Sequence, residues 1–229
     1  AAVEIFNGYP DVPRLDRDRN YHNAIAMIVQ DYPDDKEAKI FHALSMIALS
    51  RRGEDSSLLM QAAEILEPLF DELPEHPGVA HYLIHAYDDS GNREPGIDAA
   101  RRYAGIAPLM THAQHMPAHI FAGIGMWPES NASNEGALEA DPGYYHALMY
   151  LVYGNLQMGK WQEAERLVNN LHEYTLSDQG GRAERRGLHS TNTWLLLETR
   201  DWAQAAEVPA YSDASLDMAE TLYVRGIGG

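Results

Sequence analysis

The chain has 229 residues and carries 34 acidic against 17 basic side chains, a formal charge of −17 with neutral histidines, and 45% of its residues are apolar. So negative a surface repels phosphate backbones and anionic headgroups, no apolar run approaches the roughly 18 residues that span a bilayer, and the apolar content is too high for general disorder. A soluble chain with no nucleic-acid partner and no membrane insertion is therefore expected, and the absence of cysteine excludes disulfides, thiolate metal sites and a cysteine nucleophile. Any metal must then be held mainly by histidine or carboxylate, and the 11 histidines are more than ordinary usage supplies.

Taken in order, the chain reads as helix after helix. Apolar residues recur with helical spacing, and breaks fall at Pro33-Asp34-Asp35, Arg52-Gly53-Glu54, Asp89-Ser90-Gly91, Gly125 and Gly159. No alternating strand of useful length occurs, so the expected fold class is all-α. Residues 14–31 form the pattern of a second helix closed by Pro33, with only AAVEIFNG ahead of them as a first. A unit at about 36–75 follows, with helices in KEAKIFHALSMIALS and SSLLMQAAEILEPLFDEL. Gly125-Met126-Trp127-Pro128-Glu129 and Gly159-Lys160-Trp161-Gln162-Glu163 then lie 34 residues apart, as do Pro108 and Pro142. A glycine, an aromatic two residues on and a small residue such as Ala164 three further mark the inter-helix turn of a tetratricopeptide (TPR) unit. This register predicts units at about 1–33, 36–75, 77–110, 111–144, 145–178 and 182–210, the last with Trp202 and Ala205 in the corresponding places. Ser215 to Val224, within a C-terminal helix at about 213–225, reads as a lone helix without a partner. The whole is expected to be one domain over 1–229, a right-handed TPR-like solenoid of about five to six helix pairs. Open ends of such a solenoid offer a route to homo-oligomers or filaments.

The segments AAEILEPLFDELPEHPGVAHYLIHAYDD, AARRYAGIAP, HAQHMPAHIFAGIGMW and YYHALMYLVYGNLQMGKWQEA resemble a group of largely uncharacterised bacterial TPR proteins. The likeness covers about residues 20–175 and is carried by HYLIHAYD and HMPAHIF, which the general repeat pattern does not contain. It implies a helical solenoid and no particular reaction. Ala1 in place of Met fits either a removed signal peptide or a fragment, and the longer members of the group, with further repeats upstream, favour the fragment. The compartment stays open, with an extracytoplasmic location slightly favoured.

In HYLIHAYD, His81 and His85 are four apart and Asp88 is three further on, which places all three on one helical stripe. Two imidazoles and a carboxylate form the ligand set of many open divalent-metal sites. The next unit holds His112, His115 and His119, and the 34-residue period maps His115 onto His81 and His119 onto His85. First helices of neighbouring TPR units pack with axes roughly 8–10 Å apart, so a His-rich groove on the concave surface is expected around His81, His85, His115 and His119. Asp88 would be a ligand or an orienter, and His112 a further ligand. Pro117 complicates this: as a first helical residue it would leave His112 and His115 in the preceding loop. The alternative is that the imidazoles are buried hydrogen-bonders between helices.

His42 with Met46, and His146 with Tyr150, are weaker extensions of the groove for which core packing is favoured. Trp127, Trp161 and Trp202 read as structural turn residues, and Arg182, Arg185 and Arg186 as a solvated basic helix start. Asn131-Ala132-Ser133 fits the glycosylation pattern but lies inside a predicted helix. Phosphate-cradling loops, a nucleophile elbow and HExxH are all missing from the sequence. The expectation is thus a binding or scaffold protein for a protein or peptide partner, with zinc, copper or nickel in the central groove. Head-to-tail self-assembly and a metal-dependent enzyme of unassigned substrate are the alternatives.

Overall fold

A computed structural model describes residues 1–176, 181–209 and 215–229, without the side chains of Leu176, residues 182–184 and residues 215–218. Those residues contain helices and no strand. After a 3₁₀ turn at Ala2–Ile5 come α1 (Arg14–Asp31), α2 (Lys36–Ser50), α3 (Ser57–Glu72), α4 (Pro77–Ser90) and α5 (Ile97–Ile106). They are followed by α6 (Thr111–His115), α7 (Pro117–Gly123), α8 (Trp127–Ala140), α9 (Tyr145–Gln157), α10 (Trp161–Leu176), α11 (Arg182–Thr199), α12 (Trp202–Glu207) and α13 (Ser215–Gly228).

The helix ends have local causes. Asp35 caps α2 by accepting from the Ala38 amide at 3.0 Å, and His76 caps α4 by accepting from Val79 at 3.2 Å through Nδ1, with Pro77 next in line. Both devices satisfy backbone donors that the first turn leaves unpaired. The α9–α10 turn closes at Gly159, φ 71°, where the Lys160 amide reaches back to the Asn155 carbonyl at 2.9 Å. The α11–α12 turn makes the same closure, Asp201 to Leu196 at 3.1 Å, with Arg200 at φ 57° in the glycine's place. A residue with a Cβ is strained in that left-handed conformation.

The described residues form two compact units: Ala1–Leu109 with His119–Ile124, and Met110–Ala118 with Gly125–Gly229. In the first, α1 packs on α2, α2 on α3, α3 on α4 and α4 on α5. Ile47, Ala62, Leu66, Ala80 and Ile84 are fully buried there. Their spacing along α2, α3 and α4 is that of an inward helical stripe, and removing this surface from water drives the packing.

In the second unit α6 packs on α8, α8 on α9, and α9 on both α10 and α11. Leu151, Val152, Leu156, Ala164, Leu167, Val168, Leu171 and Leu188 make one core cluster. Ala164 is fully buried where α10 meets its neighbours, as a small residue at a close helix crossing should be. The terminal helix departs from expectation. α13 is not a lone helix: it packs on α12 and α11, and Val224 joins Leu196, Ala205 and Val208 in a second cluster. Alternation of apolar and polar residues in a single short helix does not reveal which earlier helix it will meet.

No helix among the described residues is long and apolar enough to cross a membrane.

Candidate histidine sites

The first unit holds His81, His85, Asp88 and His119. His81 and His85 stand one turn apart on α4, their ring centroids 4.7 Å from each other, and His81 stacks on the Tyr103 ring of α5 at 5.2 Å and 10°. His85 Nδ1 lies 2.6 Å from Arg51 Nη2. A guanidinium only donates, so Nδ1 accepts and the neutral ring carries its proton on Nε2. In that tautomer Nε2 has no lone pair for a metal, and Arg51 would have to leave before it could coordinate. Arg51 is also held by the Asp89 carboxylate.

Asp88 sits on the same helix but serves other residues. Its Oδ2 accepts from His119 Nδ1 at 2.9 Å and its Oδ1 accepts from Arg93 Nε at 2.7 Å. Burial pushes the Asp88 carboxyl up, yet the hydrogen bonds from His119 and Arg93, with their charges, outweigh that and hold it below the ordinary carboxylate value. An ionised carboxylate is acceptor-only, so the His119 proton is on Nδ1 and Nε2 keeps its lone pair in the neutral ring. That is the orientation in which a carboxylate presents a histidine to a metal.

The second unit holds His112, His115 and His146. His115 is fully buried, and its Nδ1 lies 2.7 Å from Asn134 Oδ1 on α8. The Asn134 amide nitrogen donates to the Ser130 carbonyl at 2.8 Å, which fixes Oδ1 as the end facing the imidazole. His115 therefore donates from Nδ1, and its Nε2 is the unprotonated nitrogen. The rings of His146 at 4.6 Å, Tyr150 at 5.1 Å and Tyr144 at 5.5 Å surround it edge-on. His112 is exposed, with Nδ1 3.4 Å from the Tyr144 hydroxyl.

Pro117 divides the second histidine segment. It begins α7, so His115 and His119 lie on different helices despite their four-residue spacing, while Met116 keeps helical dihedrals at φ −52°. Proline offers no N–H to continue the ladder, and α6 ends at His115, two residues before it. His112 and His115 nevertheless occupy a helical turn, a placement that the simple loop alternative does not describe.

Sequence reading missed several residues that shape these sites, Arg51 beside His85 among them. His22 on α1 meets His42 on α2 with ring centroids 5.0 Å apart, its Nδ1 2.9 Å from Ser45 Oγ. Ser45 spends its own hydrogen on the His42 carbonyl at 2.6 Å, so its oxygen accepts from His22. Burial lowers the pKa of His22, and burial followed by the nearby His22 charge lowers that of His42. Asn134 and Arg93, which orient His115 and Asp88, also escaped notice. Neither stands at a repeat-related spacing from its partner, and no local pattern signals them.

The remaining candidates divide in the same way. Met46 is buried as core. Asn131 is buried inside α8, an unsuitable place for a glycan acceptor. Arg185 and Arg186 are exposed on α11, whereas the Arg182 side chain lies outside the described residues.

No protein-family model and no curated protein matches the chain. Among solved structures, the crystal structure of MamA is similar with a TM-score of 0.56 at 15% identity, over 68% of this chain and 91% of that one. A second, MamA MSR-1 C2, gives a TM-score of 0.54 at 20% identity over 67% and 87%. MamA is a TPR-containing protein. At these identities the likeness is one of fold, and it assigns the chain to the all-α, TPR-like helical-solenoid class.

Proposed function

We propose that the chain is a TPR-type binding protein for a protein or peptide partner, and that its histidines hold a divalent transition metal such as zinc, copper or nickel. The observation that carries the metal reading is the tautomer set for His115 within the second unit and for His119 within the first. Asn134 Oδ1 and Asp88 Oδ2 each accept a hydrogen bond from Nδ1–H, so that in the neutral ring the lone pair is on Nε2. His146 beside His115, and His81, are the further imidazole candidates; His85 is the weakest donor because of Arg51. With no cysteine present, neutral imidazole is the chain's best ligand for these borderline metals.

Elemental analysis and competitive titration with zinc, copper and nickel test this. Saturable binding that His115→Ala and His119→Ala each weaken is the expected outcome. Protein that binds none of the three metals, with helicity intact, refutes the metal reading and leaves the scaffold reading to partner assays.

Self-association is the second reading. Val3, Phe6 and Tyr9 near one terminus, and Leu222 and Tyr223 near the other, are each more than 60% exposed. Such apolar surface favours association, against the repulsion of a −17 charge. Light scattering should then show oligomers that grow with protein concentration and with salt.

A further inference from the structure

A cleft in the second unit has no histidine in its lining. It has a volume of about 610 Å3 and is lined by Trp161, Gln162, Glu165 and Asn169 of α10, Asn192 and Leu195 of α11, and Trp202 of α12. That size falls within the roughly 300–1,000 Å3 of small-molecule sites.

Two properties of the lining select a class of ligand. The first is indole exposure. Trp161 is 52% and Trp202 40% exposed, although the turn register does not demand it. Trp127, 34 residues before Trp161, packs against Tyr153 at 5.7 Å, and Trp194 packs against the same ring at 5.6 Å. A large apolar ring left in water beside a cleft offers a flat face of the kind that recognition sites use.

The second property is polarity with little net charge, Glu165 and Asp201 standing against Arg200. Gln162, Asn169 and Asn192 bring three carboxamides, each of which both donates and accepts. The Asp201 carboxylate is already taken by the Gln204 amide at 3.1 Å and its side chain at 2.6 Å. Glu165 and Arg200, the other charged lining residues, carry opposite signs. A phosphate or carboxylate ligand would find no cluster of cations, and a basic ligand no cluster of free carboxylates.

We propose that this cleft binds a short neutral saccharide. The C–H faces of pyranose rings lie against the indoles of Trp161 and Trp202, and the sugar hydroxyls, which also both donate and accept, pair with Gln162, Asn169 and Asn192. The proposal is independent of the metal reading.

Titrations of the whole chain with cellotetraose, xylotetraose, maltotetraose and chitotetraose test it, read by intrinsic fluorescence and by ligand-observed NMR. At least one tetrasaccharide should bind saturably. Trp161→Ala and Trp202→Ala should each weaken it about tenfold, equivalent to about 1.4 kcal/mol, and Asn192→Ala should also weaken it. Trp161→Phe should retain part of the affinity because a flat face remains, and Trp127→Phe should leave it unchanged. These conservative variants keep the test decisive if an alanine variant fails to fold. Absence of binding by all four sugars up to about 10 mM, or binding indifferent to Trp161 and Trp202, overturns the proposal. Binding of a Lys/Arg-rich peptide instead, lost in Trp161→Phe and without any sugar bound, overturns it in favour of a peptide site.

Discussion

Asp88→Asn tests the arrangement that orients His119. The wild-type carboxylate is 16% exposed and accepts two charged or chargeable donors, Arg93 Nε at 2.7 Å and His119 Nδ1 at 2.9 Å. An asparagine offers one carbonyl oxygen, so one donor is served and the other faces an amide N–H. Hydrogen bonds to charged groups contribute about 1.5–3 kcal/mol each. Arg93, one-third exposed, can turn partly to water, which places the expected loss near the lower end, about 2 kcal/mol. For a chain of this length that lowers Tm by about 4–8 °C. Urea unfolding followed by circular dichroism measures the total, and hydrogen exchange of α4 amides localises it to the first unit. The pH dependence supplies a second check. Because the folded pKa of Asp88 lies below the ordinary carboxylate value of 3.8, its contribution is complete above that value. It is lost as pH falls through the lower folded pKa. The gap between wild type and Asp88→Asn should therefore shrink below about pH 3.8. A gap under about 0.5 kcal/mol at pH 7, or one that stays constant down to pH 2, refutes the reasoning.

Three further outcomes can be checked. Gly154→Ala would place a Cβ 2.1 Å from the buried Asn131 Oδ1, so overpacking should exceed the helix-propensity gain and cost about 1–2 kcal/mol; adding Asn131→Ala, which removes the obstructing oxygen, should recover most of it in chemical denaturation. Arg200→Gly should stabilise by about 0.5–1 kcal/mol, since φ 57° is strained for arginine and unstrained for glycine, with the gain visible in thermal unfolding. His22 and His42 have folded pKa values below 6.5, so their neutral forms favour folding. Stability should be full above pH 6.5 and decline as pH drops toward the folded values, and the His22→Gln/His42→Gln double variant should flatten that decline in denaturant titrations from pH 8 to 5.

Much of the fold is legible in the sequence because its signals are local. The breaks at Pro33 and Gly159, the Asp35 cap and the apolar spacing of KEAKIFHALSMIALS each act within a few residues, so α2 appears at Lys36–Ser50 as the pattern indicates. The 34-residue period of the Trp127 and Trp161 turns likewise reports one supersecondary unit used twice. The partner of α13 was not legible, because Val224 meets Leu196, Ala205 and Val208 across the chain.

The histidine sites divide along the same line. Composition and spacing determined that any metal here must rely on imidazole and that His81, His85, His115 and His119 are the residues to examine. Tertiary structure decided which ring nitrogen carries the proton. Arg51 donates to Nδ1 of His85 and so leaves that ring's proton on Nε2, while Asp88 and Asn134 hold the proton of His119 and His115 on Nδ1. It likewise set His22 against His42 and uncovered two of three turn tryptophans. A tautomer follows from what lies within about 3 Å of a ring nitrogen, and those neighbours come from other helices. Helical periodicity records which way a side chain faces; only packing records what it faces.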